Sequence, residues 1–184
     1  MDSGKFFNAF LRNPAEVGSI VQSSPFLVNK IIKPINFKKA RVIVEFGAGT
    51  GVVTKKILEM MPQDSTLVCF EKEEGLCNEL KKKFHDKRLI AIADGAENFE
   101  RYLGDLNISK VDYFVSELPI AILPVDVTEK VLALCDRYLC DGGKYIQIQY
   151  SLVSRKHLRK LFSQMSIDFT PFNIPPSFVY VCTK

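Results

Sequence analysis

A β-branched run, residues 41–46 (RVIVEF), ends directly on Gly47-Ala48-Gly49-Thr50-Gly51. An amphipathic stretch, residues 50–61, opens from those glycines and stops before Pro62. A strand that feeds a glycine turn and then a helix is the opening unit of a parallel α/β sheet, and the glycines let backbone approach a ligand. The alternation continues. Strands are predicted at residues 66–71, 89–93, 111–116 and 144–150, and helices at 74–84, 127–139 and, strongly basic, 154–162. Asp141-Gly142-Gly143 reads as the turn that feeds the strand 144–150. Two last strands, near 167–171 and 177–183, bracket Pro175-Pro176. Their link is too short for a helical crossover, so they should form an antiparallel hairpin. The expectation is an α/β fold, a seven-stranded, mostly parallel sheet with a C-terminal antiparallel β-hairpin and helices on both faces. Residues 1–39 are expected to form a helical cap on a domain spanning 40–184.

Composition narrows the class. At 184 residues, 47% hydrophobic and 25% charged, the chain suits one folded domain with a full core rather than a disordered segment. A net charge of +4 permits anionic partners without requiring them. The five cysteines are odd in number and form no C-x-x-C pair, which points to reduced thiols and to neither a disulfide framework nor a metal site. No segment approaches the roughly 18 apolar residues of a membrane span. Nor does a long apolar stretch precede a small-residue cleavage site near the N-terminus. A cytoplasmic protein is expected, at most peripheral on the inner face of the membrane.

The glycine loop also discriminates among nucleotides. A dinucleotide fingerprint begun at Gly47 needs glycine at position 52, where Val52 stands. Glu45, two residues before the first glycine, would repel a pyrophosphate but suits a ligand that carries an ammonium and a sulfonium. Glu71, followed by Lys72, ends the second strand, where an acidic side chain accepts hydrogen bonds from ribose hydroxyls. Asp94, followed by Gly95-Ala96, ends the third, where a carboxylate can accept from an adenine amine. A helix-capping acid at Glu71 and a plain Asp-Gly turn at Asp94 are the alternatives. All three carboxylates fall at the carboxyl ends of neighbouring strands, where open α/β sheets bind ligands. The joint pattern reads as S-adenosylmethionine on a Rossmann-like class I methyltransferase layout, with S-adenosylhomocysteine as product. The candidate cofactor contacts are Glu45, Gly47, Ala48, Gly49, Gly51, Glu71, Lys72, Asp94, Gly95 and Ser116.

Ser116-Glu117-Leu118-Pro119 ends the fourth strand, beside the expected sulfonium. Pro119 keeps Leu118 extended, so the carbonyls of Ser116 to Leu118 could face an amine nucleophile. Enzymes that methylate base amines often carry Asn or Asp, then Pro-Pro and an aromatic, at this place. Ser-Glu-Leu-Pro makes a nucleic-acid acceptor less expected.

Five stretches resemble the bacterial phospholipid N-methyltransferases, which methylate phosphatidylethanolamine. They are Val17-Gly18-Ser19-Ile20-Val21-Gln22-Ser23-Ser24-Pro25, the loop from Val44 to Thr54, Ser116-Glu117-Leu118-Pro119-Ile120, Gln147-Ile148-Gln149-Tyr150-Ser151, and Asn173-Ile174-Pro175-Pro176-Ser177-Phe178-Val179-Tyr180. The resemblance spans nearly the whole chain. It implies N-methylation of a lipid headgroup amine. Glu117 and Tyr150 are the catalytic candidates, and Ser23, Ser24, Leu118 and Pro119 the candidate substrate contacts. Two positions depart from the family pattern: Glu117 replaces a small residue and Gln22 a proline. Glu117 could hold a cationic headgroup, which keeps ornithine-type lipids open. The related rRNA adenine dimethylases share the cofactor loop and carry a further C-terminal domain.

Residues 5–12 (KFFNAFLR) place Phe6, Phe7, Phe10 and Leu11 on one helical face, as a membrane-interface helix would. Arg155, Lys156, Arg159 and Lys160 could meet lipid phosphate or simply form a solvated helix face. Methylation of an rRNA adenine or a small amine, and an S-adenosylmethionine-binding scaffold without activity, are the competing functions.

Overall fold

Alternation along the first strand decides the two faces of the sheet. The computed structural model describes residues 22–184. Its elements, in chain order, are α1 (Pro25–Ile32), β1 (Val42–Phe46), α2 (Val52–Met60), β2 (Thr66–Phe70), α3 (Glu74–Lys83), β3 (Leu89–Ile92), α4 (Phe99–Asp105), β4 (Val111–Ser116), α5 (Val125–Tyr138), β5 (Leu139–Gln149), α6 (Arg155–Leu161), β6 (Gln164–Thr170) and β7 (Ser177–Thr183). The seven strands form one sheet in the order β3-β2-β1-β4-β5-β7-β6. On β1, Ile43 packs with Leu27 and Ile31 of α1, Val53 and Ile57 of α2 and Leu80 of α3. Val44 and Phe46 point the other way, toward Phe99 and Leu103 of α4, Val131, Leu132 and Cys135 of α5, and Leu158 of α6. Helices α1 to α3 therefore cover one face and α4 to α6 the other.

The first five strands run parallel and β7 is antiparallel to both β5 and β6. The hairpin thus inserts its second strand, β7, beside β5 and leaves β6 at the edge. The strand order reverses between β1 and β4, the switch point at whose carboxyl side open α/β sheets bind ligands. The expected architecture, a seven-stranded mixed sheet with a C-terminal antiparallel hairpin and helices on both sides, is what the chain adopts.

Two local expectations are corrected. Asp141-Gly142-Gly143 is not a turn ahead of the fifth strand. β5 begins at Leu139, and these residues form an irregularity within it, because the pairing slips between Val111↔Leu139 and Tyr113↔Lys144. Between β3 and β4, where the sequence suggested no element, a short turn over Ala96–Asn98 leads into α4. Its seven residues are too few for a visible helical period. They still supply Phe99, whose ring lies 5.4 Å from Phe46 and 5.5 Å from Phe114. The stretch at residues 5–12 lies outside the described residues. All five cysteines are free thiols, four of them buried.

Candidate active site

Three strand ends and the glycine loop meet at the carboxyl side of the sheet. The Gly47 amide donates to the Phe70 carbonyl (2.8 Å) and the Glu117 amide to the Phe46 carbonyl (3.0 Å), which carries the β2-β1-β4 ladder past the last strand residues. Gly49 has open space where a side chain would stand, so its backbone is free to be approached. Gly51 is different. It caps α2 with φ 77°, and a Cβ there would come within 2.5 Å of Leu80. Its glycine is needed for packing of the loop on α3 as well as for the turn. Ala48 is buried in the core beneath the loop.

The carboxylates predicted from the sequence are placed unequally. Glu45 is fully buried; its Oε2 accepts from Thr54 Oγ1 (2.7 Å) and Cys69 Sγ (3.0 Å). Its Oε1 is buried and has no partner among the described residues. Burial raises its pKa against the lowering by Cys69 and Thr54. A buried, unsatisfied acceptor costs free energy until a donor arrives, which fits the ammonium of a bound cofactor. Glu71 folds back over the loop, accepting from the Gly49 amide (2.8 Å) and the Glu73 amide (3.0 Å). Each oxygen keeps a lone pair for a ribose hydroxyl. Lys72 is exposed beside it. Asp94 is engaged by its own loop: Oδ1 accepts from the Gly95 amide and Asn98 Nδ2, and Oδ2 from Tyr102 Oη (2.9 Å). Those bonds, Asn98 foremost, hold its pKa below the usual carboxylate range. Asp94 thus orders the loop between β3 and α4, the turn-like alternative weighed for it. Gly95 opens that turn.

Past β4 stands Glu117. Its Oε2 accepts from Ser23 Oγ (2.8 Å). Desolvation, then the charge of Glu45 and further that of Glu71, push its carboxyl up to about 8 despite that bond. Burial and the Glu117 charge push Tyr150 up to about 12, so its hydroxyl stays protonated across the physiological range. Ser23, Glu117 and Tyr150 therefore gather as the sequence suggested, with Glu45 and Glu71 near enough to act on Glu117.

Ser24 and Leu118 have other partners. Ser24 Oγ donates to the Phe172 carbonyl (2.6 Å) and accepts from the Leu27 amide, capping α1. The carbonyls expected to face an amine are met from inside the protein. Gln147 Nε2 donates to the Ser116 and Leu118 carbonyls (3.0 and 2.9 Å) and Gln149 Nε2 to Leu118 (2.8 Å). With the Ile120 amide (2.8 Å), three donors saturate the Leu118 carbonyl. Ser116 is fully buried and Pro119 half-buried in the same turn.

Sequence reasoning named no role for this clamp. Tyr145 Oη donates to Gln147 Oε1, and Ser154 Oγ donates to Gln149 Oε1 (3.3 Å). The signal was present: Tyr145, Gln147 and Gln149 share one face of an otherwise apolar strand, and buried amides need partners. A concavity of about 530 Å³ opens at the opposite end of the sheet, lined by Asn107, Lys110, Arg137 and Tyr138 among others. None of the candidate residues reaches it.

The sequence profile described as ribosomal RNA adenine dimethylase matches residues 13–124, more than half of the chain. The chain belongs to the ribosomal RNA adenine dimethylase family. Two relatives show its breadth. An ornithine lipid N-methyltransferase of Singulisphaera acidiphila is 27% identical over 96% of this chain and 93% of that protein. A ribosomal RNA small subunit methyltransferase A of Blochmanniella pennsylvanica is 39% identical, over 37% of this chain and 25% of its own length. Among solved structures, the T. thermophilus 16S rRNA N2 G1207 methyltransferase in complex with AdoMet and guanosine superimposes with a TM-score of 0.67 at 15% identity, covering 89% of this chain and 44% of that one. The fold is the Rossmann-like class I methyltransferase fold, and membership of this family makes the protein an S-adenosylmethionine-dependent methyltransferase. Among the described residues no group of acids, histidines and cysteines is arranged to hold a metal, and no helix is long and apolar enough to cross a membrane.

Proposed function

We propose that this methyltransferase acts on the amine of a lipid headgroup. The observation that carries the reading is Glu117. Where base-amine enzymes often present Asn or Asp and a Pro-Pro pair, this chain presents a half-buried carboxyl bonded to Ser23, beside Tyr150, in the field of two further carboxylates. Such a group suits a cationic aliphatic amine better than a neutral adenine, which offers it a hydrogen bond but no charge. The near-full-length similarity to an ornithine lipid N-methyltransferase supports the same reading. An ornithine lipid and phosphatidylethanolamine both offer a primary aliphatic amine, and both fall within the proposal. Residues 5–12 remain proposed as a membrane contact.

In this reading Glu45, the loop from Gly47 to Gly51, Glu71 with Lys72, Asp94 with Gly95, and Ser116 hold the cofactor. Bound there, S-adenosylmethionine supplies an electrophilic methyl group on a sulfonium. The chain's task is to deliver a neutral amine in line with it. A headgroup ammonium must first lose a proton, and a carboxyl raised to about 8 is a far better acceptor for it than one near 4.5. In its ionised form Glu117 would take that proton and leave the amine lone pair free for the methyl group that bound S-adenosylmethionine would supply. Tyr150, neutral throughout, orients the amine by a hydrogen bond. Positioning supplies most of the rate.

Membership of the rRNA adenine dimethylase family favours an adenine acceptor as the second reading. One assay separates them: transfer of a radiolabelled methyl group to extracted aminolipids, to small-subunit rRNA and to soluble amines. Label is expected in the lipid, and Glu117→Ala with Tyr150→Phe is expected to lower it by about two orders of magnitude. Label in RNA alone, or full turnover by the double variant, would refute the proposal.

A further inference from the structure

Exposed apolar side chains are distributed unevenly over this protein. Among the described residues ten large hydrophobic side chains are exposed, and seven cluster on loops and helix starts at the end of the sheet that carries the candidate site. Ile122 and Val125 lie where β4 passes into α5, directly after Glu117 and Pro119. Leu152 and Val153 follow Tyr150 in the β5–α6 loop, and Phe172 and Ile174 form the tip of the β6–β7 hairpin. Phe26, at the start of α1, packs its ring 5.0 Å from that of Phe172. Val153 and Ile174 are each 69% exposed and Phe172 66%. By contrast Met60 and Leu161 are the exposed apolar residues at the other end.

These loops are held in place. Ser24 ties α1 to the hairpin tip through the Phe172 carbonyl and the Asn173 side chain, and Tyr180 Oη donates to the Ser151 carbonyl (3.0 Å). An ordered apolar rim of this extent on a water-soluble face marks an interaction surface. Charge identifies its partner. Directly behind Leu152 and Val153, α6 exposes Arg155, Lys156, Arg159 and Lys160 and contains no acid. Apolar tips flanked by cations match the interface of an anionic bilayer. The match has a consequence for the site: a membrane lying on this rim presents headgroups to Glu117 without drawing the acyl chains out.

We propose that the rim formed by Ile122, Val125, Leu152, Val153, Phe172 and Ile174 docks the protein onto an anionic lipid bilayer, with the α6 cations meeting its headgroups. The proposal rests on the lipid-acceptor reading for its purpose but is tested apart from it. In sedimentation with vesicles, the full chain should bind phosphatidylcholine mixed with phosphatidylglycerol more strongly than phosphatidylcholine alone. The pairs Phe172→Asp with Ile174→Asp, and Leu152→Asp with Val153→Asp, should each weaken binding about tenfold or more. Arg155→Glu with Lys156→Glu should abolish the anionic preference, and Met60→Asp should change nothing. Should a pair fail to fold, the single Val153→Asp reads the same loss. Undiminished binding by folded rim variants overturns the proposal, as does a wild type that binds no vesicle. Rim variants that dissolve a dimer in light scattering, with vesicle binding unchanged, assign the face to a second copy and overturn it too. Transfer to a short-chain monomeric aminolipid separates the two claims. If it persists in the rim variants while transfer to vesicle lipid falls, both stand. If vesicles bind through the rim but no aminolipid is methylated, docking stands and the lipid-acceptor reading falls.

Discussion

Glu117 is a carboxyl with an ordinary pKa near 4.5 that the fold pushes up to about 8. In the unfolded chain it ionises from about pH 4.5 upward, while the folded chain holds it protonated until about pH 8. The folded state therefore binds the extra proton across that window, and stability falls as pH rises through it. Glu117→Gln removes this dependence. The variant should match the wild type near pH 4 and exceed it by roughly 2 kcal/mol near pH 8, a figure reduced from the full shift because the side chain is only half-buried. Urea midpoints across that range measure it, and an unchanged difference at the two ends would show that Glu117 is not desolvated. Sequence alone singled out this glutamate by its place before Pro119. It could not show the raised pKa, which comes first from desolvation and then from the charges of Glu45 on β1 and Glu71 just past β2.

Among elements, the turn after β4 is shaped less by Pro119 than by β5. Gln147 and Gln149 fill the carbonyls of Ser116 and Leu118 from the neighbouring strand, and Tyr145 and Ser154 fill the glutamines in turn. Cutting this relay at Gln149 leaves the buried Ser154 hydroxyl without its acceptor, at about 1–3 kcal/mol for each polar group orphaned. Gln149→Leu should lower stability by that order and reduce kcat of methyl transfer while leaving S-adenosylmethionine affinity within about twofold, since Gln149 touches no cofactor candidate other than through the turn. Thermal melts and calorimetry on one sample would distinguish this from a general loss of fold. The elements with long periods, such as α2, α3 and β4, were legible because apolar spacing extends over two or more turns or a full strand. The seven-residue α4 and the irregular start of β5 were not. Their form depends on Phe99 entering the cluster with Phe46 and Phe114, and on the pairing slip against β4.

For the molecule as a whole, the site joins α1 (through Ser23, just ahead of it), β1, β2, β4 and the loop after β5, so a ligand there bridges elements far apart in sequence. S-adenosylmethionine at about 100 times its Kd should stabilise the fold by about 2.7 kcal/mol, a rise in Tm of roughly 5–10 °C for a domain of this size. Glu45→Gln should reduce that rise, because Glu45 Oε1 is the buried acceptor without a partner. Scanning fluorimetry with and without ligand reads the effect, and an undiminished shift in the variant would remove Glu45 from the cofactor site.

The sequence by itself determined the α/β alternation, the glycine loop, the break with the dinucleotide pattern at Val52 and the acids at three strand ends. These are local signals: a period of two or 3.6 residues, a turn that only glycine allows, a charge at a strand terminus. Only the tertiary structure decided what each of these side chains already bonds to. Asp94 accepts from Asn98 and Tyr102, Ser24 caps a helix, and Glu45 keeps one buried oxygen without a partner among the described residues. It also brought Ser23 to Glu117, 94 residues away, and collected exposed apolar side chains from four separate segments at one end of the sheet. Those outcomes follow from strand order and register, which bring together residues whose separation along the chain carries no local signal.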